Sequence, residues 1–231
     1  YYVFFQWAYY KDHLMEIVNL RKGGLAIYGG VIAGILTLLV FTKKRHLSFL
    51  SMADSACLGL ITGQMIGRWG NFINCEAFGR YTDCLFAMRI RRSIVNESMI
   101  SQNLIDHLIL DNGIEYIQVH PTFLYESLWN LVGFVLLHFY AKKRKFDGEV
   151  FLLYVAWYGL GRAWIEGLRT DSLYLFSTGI RVSQLVAIVS FLAAAGILAW
   201  VLLKKKPAPD ALYVNRKPAE PEAADGKDTD D

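Results

Sequence analysis

The sequence predicts an all-α polytopic membrane protein with about five complete transmembrane helices, part of one more at its N-terminus, and a small mixed α/β head outside the bilayer. Three observations predict this class. Hydrophobic residues, 54% of the 231, are concentrated in long segments rather than spread along the chain. Three of these segments are followed directly by a group of lysines and arginines. A stretch of mixed polarity, residues 76–119, interrupts the pattern and has the length of a small head.

The predicted spans follow from the length that a helix needs to cross a bilayer, roughly 20 mainly apolar residues. Four segments meet this length: 23–42, 53–73, 123–141 and 180–203. A fifth, residues 150–168, is long enough but carries charged side chains. Residues 1–10 are rich in aromatics and have the composition of the end of another span or of an interfacial piece. Because the chain opens on apolar residues, without Met or a signal-peptide pattern, we expect its N-terminus to be incomplete.

The basic clusters predict the orientation of these spans. They lie at residues 43–45, 142–145 and 204–206, with two crossings between each cluster and the next. Short loops rich in Lys and Arg stay in the cytoplasm, so all three clusters are predicted there. The head then lies on the outer face and the C-terminus in the cytoplasm.

The remaining segments are assigned from local patterns. In the head, partial alternation over 85–91 predicts a strand, 103–110 is predicted to be one helical stretch, and 114–119 a returning strand. Residues 1–203 form the predicted membrane domain with the head as an insertion. The tail, 204–231, is rich in Pro, Ala, Asp and Glu, which predicts a disordered cytoplasmic segment.

The three cysteines do not predict a metal site or a complete disulfide set. Cys57 lies within a predicted span, while Cys75 and Cys84 lie on the outer side. An odd number excludes full pairing, and both a Cys75–Cys84 bridge and free thiols fit the spacing. No residue pattern indicates nucleic-acid binding.

Polar residues at the outer end of the second complete span form the first candidate site. Arg68, Asn71 and Cys75 follow i, i+3, i+7 spacing and so share one helical face. Gly67 and Gly70 beside them leave room for a bulky group. An ionisable residue at membrane depth is a functional candidate, and the arginine fork can bind phosphate oxygens bidentately. The alternative is a snorkelling arginine that anchors the end of the span.

A second candidate site lies in the segment 150–168. Tyr158, Arg162 and Glu166 are spaced by four, so Arg162 and Glu166 are predicted to pair on one helical face. Such a pair fits two roles, a structural link between helices and part of an anion site. Arg169 follows at the outer end.

The third polar group opens the helix after the head. His120 precedes Pro121, and Tyr125 and Glu126 lie about a turn and a half inside. A lone histidine at this level is more often a polar anchor than a base. Glu126, an ionised carboxylate at depth, needs an arginine or hydrogen-bond partner, which favours a structural pairing role.

These motifs together resemble a known family. The string G-R-x-G-N-F-x-N-x-E-x-x-G at residues 67–79 resembles, with every fixed position filled, the signature of the prolipoprotein diacylglyceryl transferases. The strings R-x-x-x-E-x-x-R at 162–169 and H-P-x-x-x-Y-E at 120–126 are also similar to family motifs. The resemblance covers nearly all of residues 1–203, and the family's members usually begin with one further span and most of a second. Only the first motif is highly specific.

The resemblance implies roles for individual side chains. Catalytic roles are implied for Arg68, Asn71, Glu76, Arg162 and Glu166. Contacts with phosphatidylglycerol are implied for Arg68, Asn74, Gly79, Arg162, Tyr28 and Tyr125. Supporting roles are implied for Glu126, Arg169 and His120. The two arginines would hold one phosphate, and either Glu76 or Glu166 would orient an arginine or accept the thiol proton. No metal or organic cofactor is implied.

One position departs from the family pattern. Many members read H-G-G where this chain has Tyr28-Gly29-Gly30. A histidine there has been proposed as the base that activates the acceptor thiol. A tyrosine, with an ordinary pKa of about 10, is a poor base at neutral pH but can donate a hydrogen bond to phosphate.

The resemblance implies a transferase of the bacterial cytoplasmic (inner) membrane. Its substrates would be phosphatidylglycerol and prolipoproteins whose signal peptides carry a lipobox cysteine, and its products a thioether-linked diacylglyceryl protein and glycerol-1-phosphate. A membrane transporter of a small anion or lipid is the alternative, since it would also bury arginines beside glycines. Transporters often show internal repeats and polar residues at the midplane. Here we find no such repeat, and the polar residues gather at the outer ends. A purely structural scaffold would leave the buried charges unexplained.

Overall fold

The computed structural model describes residues 11–13, 27–170, 181–207 and 209–215 of the chain. Among these residues, the long helices have 17 to 25 residues each. They are α1 Ile27–Lys44, α2 Phe49–Ile73, α3 Thr122–Ala141, α4 Glu149–Ile165 and α5 Val182–Trp200, the last extended by a π-helical turn, Val201–Lys205. The chain divides into two compact units at Met52, with α1 in the first.

Two of the described helices are long and apolar enough to cross a membrane by length and composition: Phe49–Ile73 and Val182–Lys205. The predicted mostly helical class, with a small sheet, is confirmed. The number of spans stays a prediction. The segment predicted at 1–10 lies outside the described residues, as does 171–180.

A small three-stranded antiparallel sheet lies between α2 and α3 in the chain. Its strands are β1 Met88–Arg91, β2 Ile109–Asp111 and β3 Ile114–Val119, in the spatial order β1-β3-β2. The strand predicted at 114–119 is therefore present. The one predicted at 85–91 is present only over Met88–Arg91, because Leu85 and Phe86 form a turn closed by the Ala87 N–H on the Cys84 carbonyl. The helix predicted over 103–110 is wrong, because the helix spans only Gln102–Ile105 and Ile109 already pairs with Tyr116.

A tight hairpin explains that error. Asn112 and Gly113 connect β2 to β3 with φ of 51° and 79°. Positive φ at two successive residues is the type I′ geometry, for which Asn-Gly is the preferred pair. The hairpin therefore recruits 109–111 into the sheet. The apolar faces enclose a core of Phe78, Ile90, Val95, Leu104, Ile117 and Val119.

Helices α3 and α4 are locked by a reciprocal tryptophan contact. The indole N–H of Trp129 donates to the Trp157 carbonyl and that of Trp157 to the Trp129 carbonyl, each at 3.0 Å. The two rings stack with centroids 4.4 Å apart. Each ring lies where the opposite helix has glycine, because a Cβ at Gly133 would collide with the Trp157 ring and one at Gly161 with the Trp129 ring. Glycine at these positions therefore allows the close approach of the helices.

The end of the helices away from the sheet is closed by buried carboxylates. Asp54 of α2 accepts hydrogen bonds from Gly148 N and Phe151 N, both at 2.8 Å, and so caps the start of α4 from a neighbouring helix. Glu149, fully buried, accepts from the Tyr140 hydroxyl at 2.7 Å. These contacts fix α2, α3 and α4 at one end, so that their other ends can hold a precise site.

The tail carries local structure beyond Lys206. Two 3-10 turns, Pro209–Ala211 and Tyr213–Asn215, are present, and Tyr213 N donates to Asp147 Oδ2 at 2.9 Å. The disorder predicted from composition thus does not describe residues 209–215. The rest of the predicted tail from residue 216 lies outside the described residues.

Candidate active site

The signature stretch acquires its geometry from the way α2 ends. Cys75 adopts a left-handed conformation with φ of 52°. Glu76 N bonds to Asn71 O at 3.0 Å and Cys75 N to Phe72 O at 3.2 Å, which is the hydrogen-bond pattern of a Schellman motif. This turn folds residue 76 back over the last helical turn.

The turn brings the amides and the carboxylate of the signature together. Asn71 Nδ2 donates to Glu76 Oε1 at 3.0 Å, and Asn74 Nδ2 donates to the same oxygen at 3.3 Å. The Asn71 side-chain oxygen, Oδ1, in turn accepts from Arg68 Nη1 at 3.4 Å. The two asparagines therefore connect Glu76 to Arg68.

A buried carboxylate joins the two candidate arginines. Arg68 Nε lies 2.6 Å from Glu126 Oε2, and Arg162 Nη1 lies 2.7 Å from Glu126 Oε1. Only 6% of the Glu126 side chain is exposed, against 20% for Arg68 and 17% for Arg162. A carboxylate with each oxygen on a different guanidinium holds both at fixed positions, with charge-assisted bonds that are stronger than neutral ones.

The chain of charges continues along α4. Arg162 Nη2 lies 2.6 Å from Glu166 Oε2, so the ion pair predicted from i, i+4 spacing is confirmed. The other Glu166 oxygen accepts from the Ser183 hydroxyl at 2.6 Å, and the Arg181 guanidinium donates to the Glu166 carbonyl. Sequence reasoning missed Arg181 and Ser183. The available signal was a pair of polar residues at the start of the most apolar of the described helices.

Open space remains beside Arg68. A Cβ built at Gly67 or Gly70 would have no described atom within 4 Å. The room for a bulky group that these glycines predict is therefore present among the described residues. Trp69 extends from the same turn, and its indole N–H donates to Ser127 Oγ of α3 at 3.2 Å.

Gly79 lies at a junction of three segments. Gly79 N donates to the His120 carbonyl, while Arg80 N donates to the Leu168 carbonyl. A Cβ at Gly79 would lie 2.6 Å from His120 Cβ and 3.1 Å from Leu168 O. Gly79, predicted to contact substrate, is buried here, and packing alone is enough to require glycine. The junction holds the ends of α2 and α4 and the start of α3 together.

His120 and Tyr125 form a separate polar pair at the start of α3. His120 Nδ1 lies 3.2 Å from the Tyr125 hydroxyl, and the Cys84 thiol lies 3.8 Å from the same hydroxyl. Burial lowers the pKa of His120, which favours a neutral imidazole at physiological pH. Cys84 and Cys75 are both free thiols, so of the two alternatives the bridge is excluded in this structure.

The structure does not decide the predicted roles of Tyr28 and Arg169. Tyr28 lies at the start of α1, but its side chain is outside the described residues. Arg169 forms an isolated backbone bridge with Gly79, next to the three-segment junction. Their predicted roles stay predictions.

Comparison with known proteins decides the family. The model of the prolipoprotein diacylglyceryl transferase family matches residues 1–200. The chain belongs to the prolipoprotein diacylglyceryl transferase family. Its members are bacterial membrane transferases. The four charged residues Arg68, Glu126, Arg162 and Glu166 are hereafter called the charge cluster.

Individual members of the family are similar over most of the chain. Each of three is named a phosphatidylglycerol–prolipoprotein diacylglyceryl transferase. The protein of Limosilactobacillus reuteri is 48% identical over 202 residues, covering 86% of this chain and 68% of the relative. That of Enterococcus faecalis is 45% identical over 219 residues, covering 94% and 73%. That of Bacillus licheniformis is 43% identical over 200 residues, covering 87% and 69%.

Proposed function

We propose that this prolipoprotein diacylglyceryl transferase moves the sn-1,2-diacylglyceryl group of phosphatidylglycerol to the lipobox cysteine of a prolipoprotein. This is the first step of lipoprotein maturation. The observation that carries the residue assignment is the position of Glu126, which holds Arg68 and Arg162 from two different helices at one point. Two guanidiniums fixed in this way suit a single phosphate group.

The guanidinium groups of the charge cluster support binding of an anionic headgroup. Arg68 and Arg162 supply two positive charges that Glu126 and Glu166 balance, and the Arg181 guanidinium lies beside them on the Glu166 carbonyl. A phosphodiester carries one negative charge. Arg68 uses its Nε and one Nη1 hydrogen on protein groups, so further donors remain for the ligand on the open side.

The reaction is a displacement at the carbon of the diacylglyceryl unit that bears the phosphate. The thiol sulfur forms a bond to this carbon as the carbon–oxygen bond breaks, and the electron pair leaves on the phosphate oxygen of glycerol-1-phosphate. Negative charge grows on that phosphate in the transition state. Arginines held in advance by Glu126 and Glu166 stabilise it without having to reorganise.

The thiol proton must pass to a base, and the geometry favours Glu76 over Glu166. Both Glu166 oxygens already bind Arg162 and Ser183, and the side chain is 3% exposed. Glu76 is half-buried, and both of its amide contacts use Oε1, which leaves Oε2 to accept a proton. We therefore propose that Glu166 orients Arg162 and that Glu76 is the base that accepts the thiol proton. Asn71 and Asn74 hold Glu76 in position.

The positions of the charge cluster and the basic residues indicate how the protein is placed in the membrane. The charge cluster and the head lie at one end of α2, α3 and α4, and the Asp54–Gly148 contact lies at the other, next to the basic residues 142–145. We propose that the protein crosses the inner membrane several times, with the cluster at the outer leaflet and the C-terminus in the cytoplasm. Impermeant thiol labelling of intact cells tests this in a variant without native cysteines. A cysteine at position 112 should react and one at position 143 should not; the reverse result would invert the orientation.

Mass spectrometry of a lipobox peptide tests the reaction itself. The peptide is incubated with phosphatidylglycerol and the protein in liposomes, and a gain of one diacylglyceryl unit on the cysteine is expected. A peptide with serine in place of that cysteine is the matched control. If the peptide mass is unchanged while labelled phosphatidylglycerol crosses the bilayer, the protein is a transporter and the proposal fails.

A further inference from the structure

An apolar β-turn projects from the head close to the candidate site. Ala87 N donates to the Cys84 carbonyl at 2.9 Å, which closes the turn with Leu85 and Phe86 at its corners. Leu85 is 93% exposed and Phe86 63% exposed. Turn corners are usually Gly, Pro, Asn, Asp or Ser, which suit the backbone or bond to it. Neither of these two large apolar side chains belongs to the core that the described residues form. A contact with something outside the chain would explain their presence at the turn.

The turn is held in a fixed orientation. Thr82, itself buried, accepts from Cys84 N through its hydroxyl at 3.3 Å, and its carbonyl accepts from Gln118 Nε2 of β3 at 2.8 Å. The Cys84 thiol lies 3.8 Å from the Tyr125 hydroxyl of α3. The corners are therefore presented by a braced segment that contacts the outer part of α3.

Aromatic residues mark the depth of this contact. Tyr125 lies in the first turns of α3 and stacks on Trp164 near the end of α4, with centroids 6.4 Å apart. Trp69, at the outer end of α2, packs against Phe123 at 5.4 Å. Trp164 and Trp69 are 45% and 47% exposed. Exposed tryptophans and tyrosines at helix ends are typical of the membrane–water interface. The Cys84 contact thus sets the turn at the level of the interface.

We infer that the turn Cys84–Ala87 is a membrane anchor, with Leu85 and Phe86 inserted into the leaflet next to the charge cluster. The partner is the bilayer itself, with anionic phospholipid favoured. Arg80 and Arg89 flank the turn in sequence, and both are exposed, as is Asp83 directly before it, so two positive charges and one negative charge leave a net positive charge around the turn. Basic side chains around an inserted apolar tip match anionic headgroups. The inference depends on the membrane placement proposed above but not on the transfer reaction.

Spin labels at two matched positions test the anchor. Phe86→Cys and Leu110→Cys are each made in a background with Cys57→Ala, Cys75→Ser and Cys84→Ser, where the serine hydroxyl can still face Tyr125. Leu110 is 71% exposed on β2, at the opposite edge of the sheet from β1, so it is an equally apolar control. The proteins are labelled and reconstituted in liposomes of phosphatidylcholine and phosphatidylglycerol, without peptide. Collisions with oxygen, which concentrates in lipid, are compared with collisions with a water-soluble nickel chelate.

We expect the ratio of oxygen to chelate collisions to exceed unity at position 86 and to fall below unity at position 110. A ratio below unity at both positions would overturn the anchor. A ratio above unity at both would also overturn it, because the whole head would then lie in lipid. If collisions of the label at position 86 with the chelate fall only after a lipobox peptide is added, the turn binds the protein substrate instead, and the anchor is overturned.

The test separates the anchor from the proposed reaction. Transfer by the wild-type protein is measured in the same liposomes. If position 86 lies in lipid but no diacylglyceryl peptide forms, the proposed function fails and the anchor stands. If transfer occurs while position 86 reports water, the anchor fails and the proposed function stands.

Discussion

The substitution Glu126→Gln tests the central idea that one carboxylate positions both arginines. In the structure each Glu126 oxygen binds a different guanidinium, at 2.6 and 2.7 Å. Glutamine keeps the size of the side chain but has one oxygen and one amide donor. Its N–H₂ group would face a guanidinium N–H, so one of the two arginines must move away. The substitution also removes the negative charge that lies between two positive ones.

The size of the effect follows from the burial. Breaking a buried ion pair lowers the free energy of unfolding by about 3–5 kcal/mol. The lower end, about 3 kcal/mol, applies to Glu126→Gln because both arginines keep some contact with water. Removing one aligned donor from a developing oxyanion lowers kcat by about 100-fold. We therefore expect Glu126→Gln to transfer diacylglyceryl at about one hundredth of the wild-type rate per folded molecule.

A matched variant separates catalysis from stability. Glu149 is also a buried glutamate, but it lies at the opposite end of the helices, where it accepts a hydrogen bond from the Tyr140 hydroxyl. Glu149→Gln should lower the free energy of unfolding by about 1–3 kcal/mol and leave the rate of diacylglyceryl transfer per folded molecule unchanged. Both proteins are compared by peptide mass spectrometry and thermal unfolding in the same liposomes. The reasoning is refuted if folded Glu126→Gln is as fast as wild type, or if Glu149→Gln is equally slow.

Three further predictions concern single contacts. Arg68→Lys keeps the charge but not the planar fork, and should lower the rate of peptide modification by about 100-fold; a normal rate would remove Arg68 as the main phosphate ligand. A double-mutant cycle on Arg162 and Glu166, read in the transfer assay, should give a coupling of about 1–3 kcal/mol, whereas strict additivity in folded variants would mean that they act independently. Gly79→Ala should lower the unfolding temperature through an overpacking cost of about 1–3 kcal/mol, while Gly70→Ala, which faces open space, should not; equal effects would contradict the junction.

Local spacing predicted those parts of the site that lie on one helix. The Arg162–Glu166 pair follows from a separation of four residues, because helical geometry alone brings such side chains together. The need of Glu126 for a partner also follows from the cost of an isolated buried charge. Which arginines it binds depends on the packing of α2, α3 and α4. That packing depends on the Trp129–Gly161 and Trp157–Gly133 contacts, and sequence spacing does not show which glycine meets which ring.

In the head, composition was a weaker guide than turn chemistry. Residues 103–110 are apolar enough for a helix, but Asn112-Gly113 makes a tight hairpin that draws 109–111 into the sheet. The pair was visible in the sequence as a hairpin signal. A strand of three residues is too short for alternation to reveal it. The turn residues therefore decide the structure of such a segment.

The signature spacing itself has a physical explanation that sequence reasoning did not supply. A helical face predicts that Arg68 and Asn71 are neighbours, but it does not relate Glu76 to either of them. The left-handed Cys75 ends the helix and reverses the chain, so that the Glu76 carboxylate meets the Asn71 and Asn74 amides. The asparagines then connect the proposed base to Arg68, the proposed phosphate ligand. Cys75 thus contributes to the proposed site through its backbone conformation, and the proposed chemistry assigns no step to its thiol.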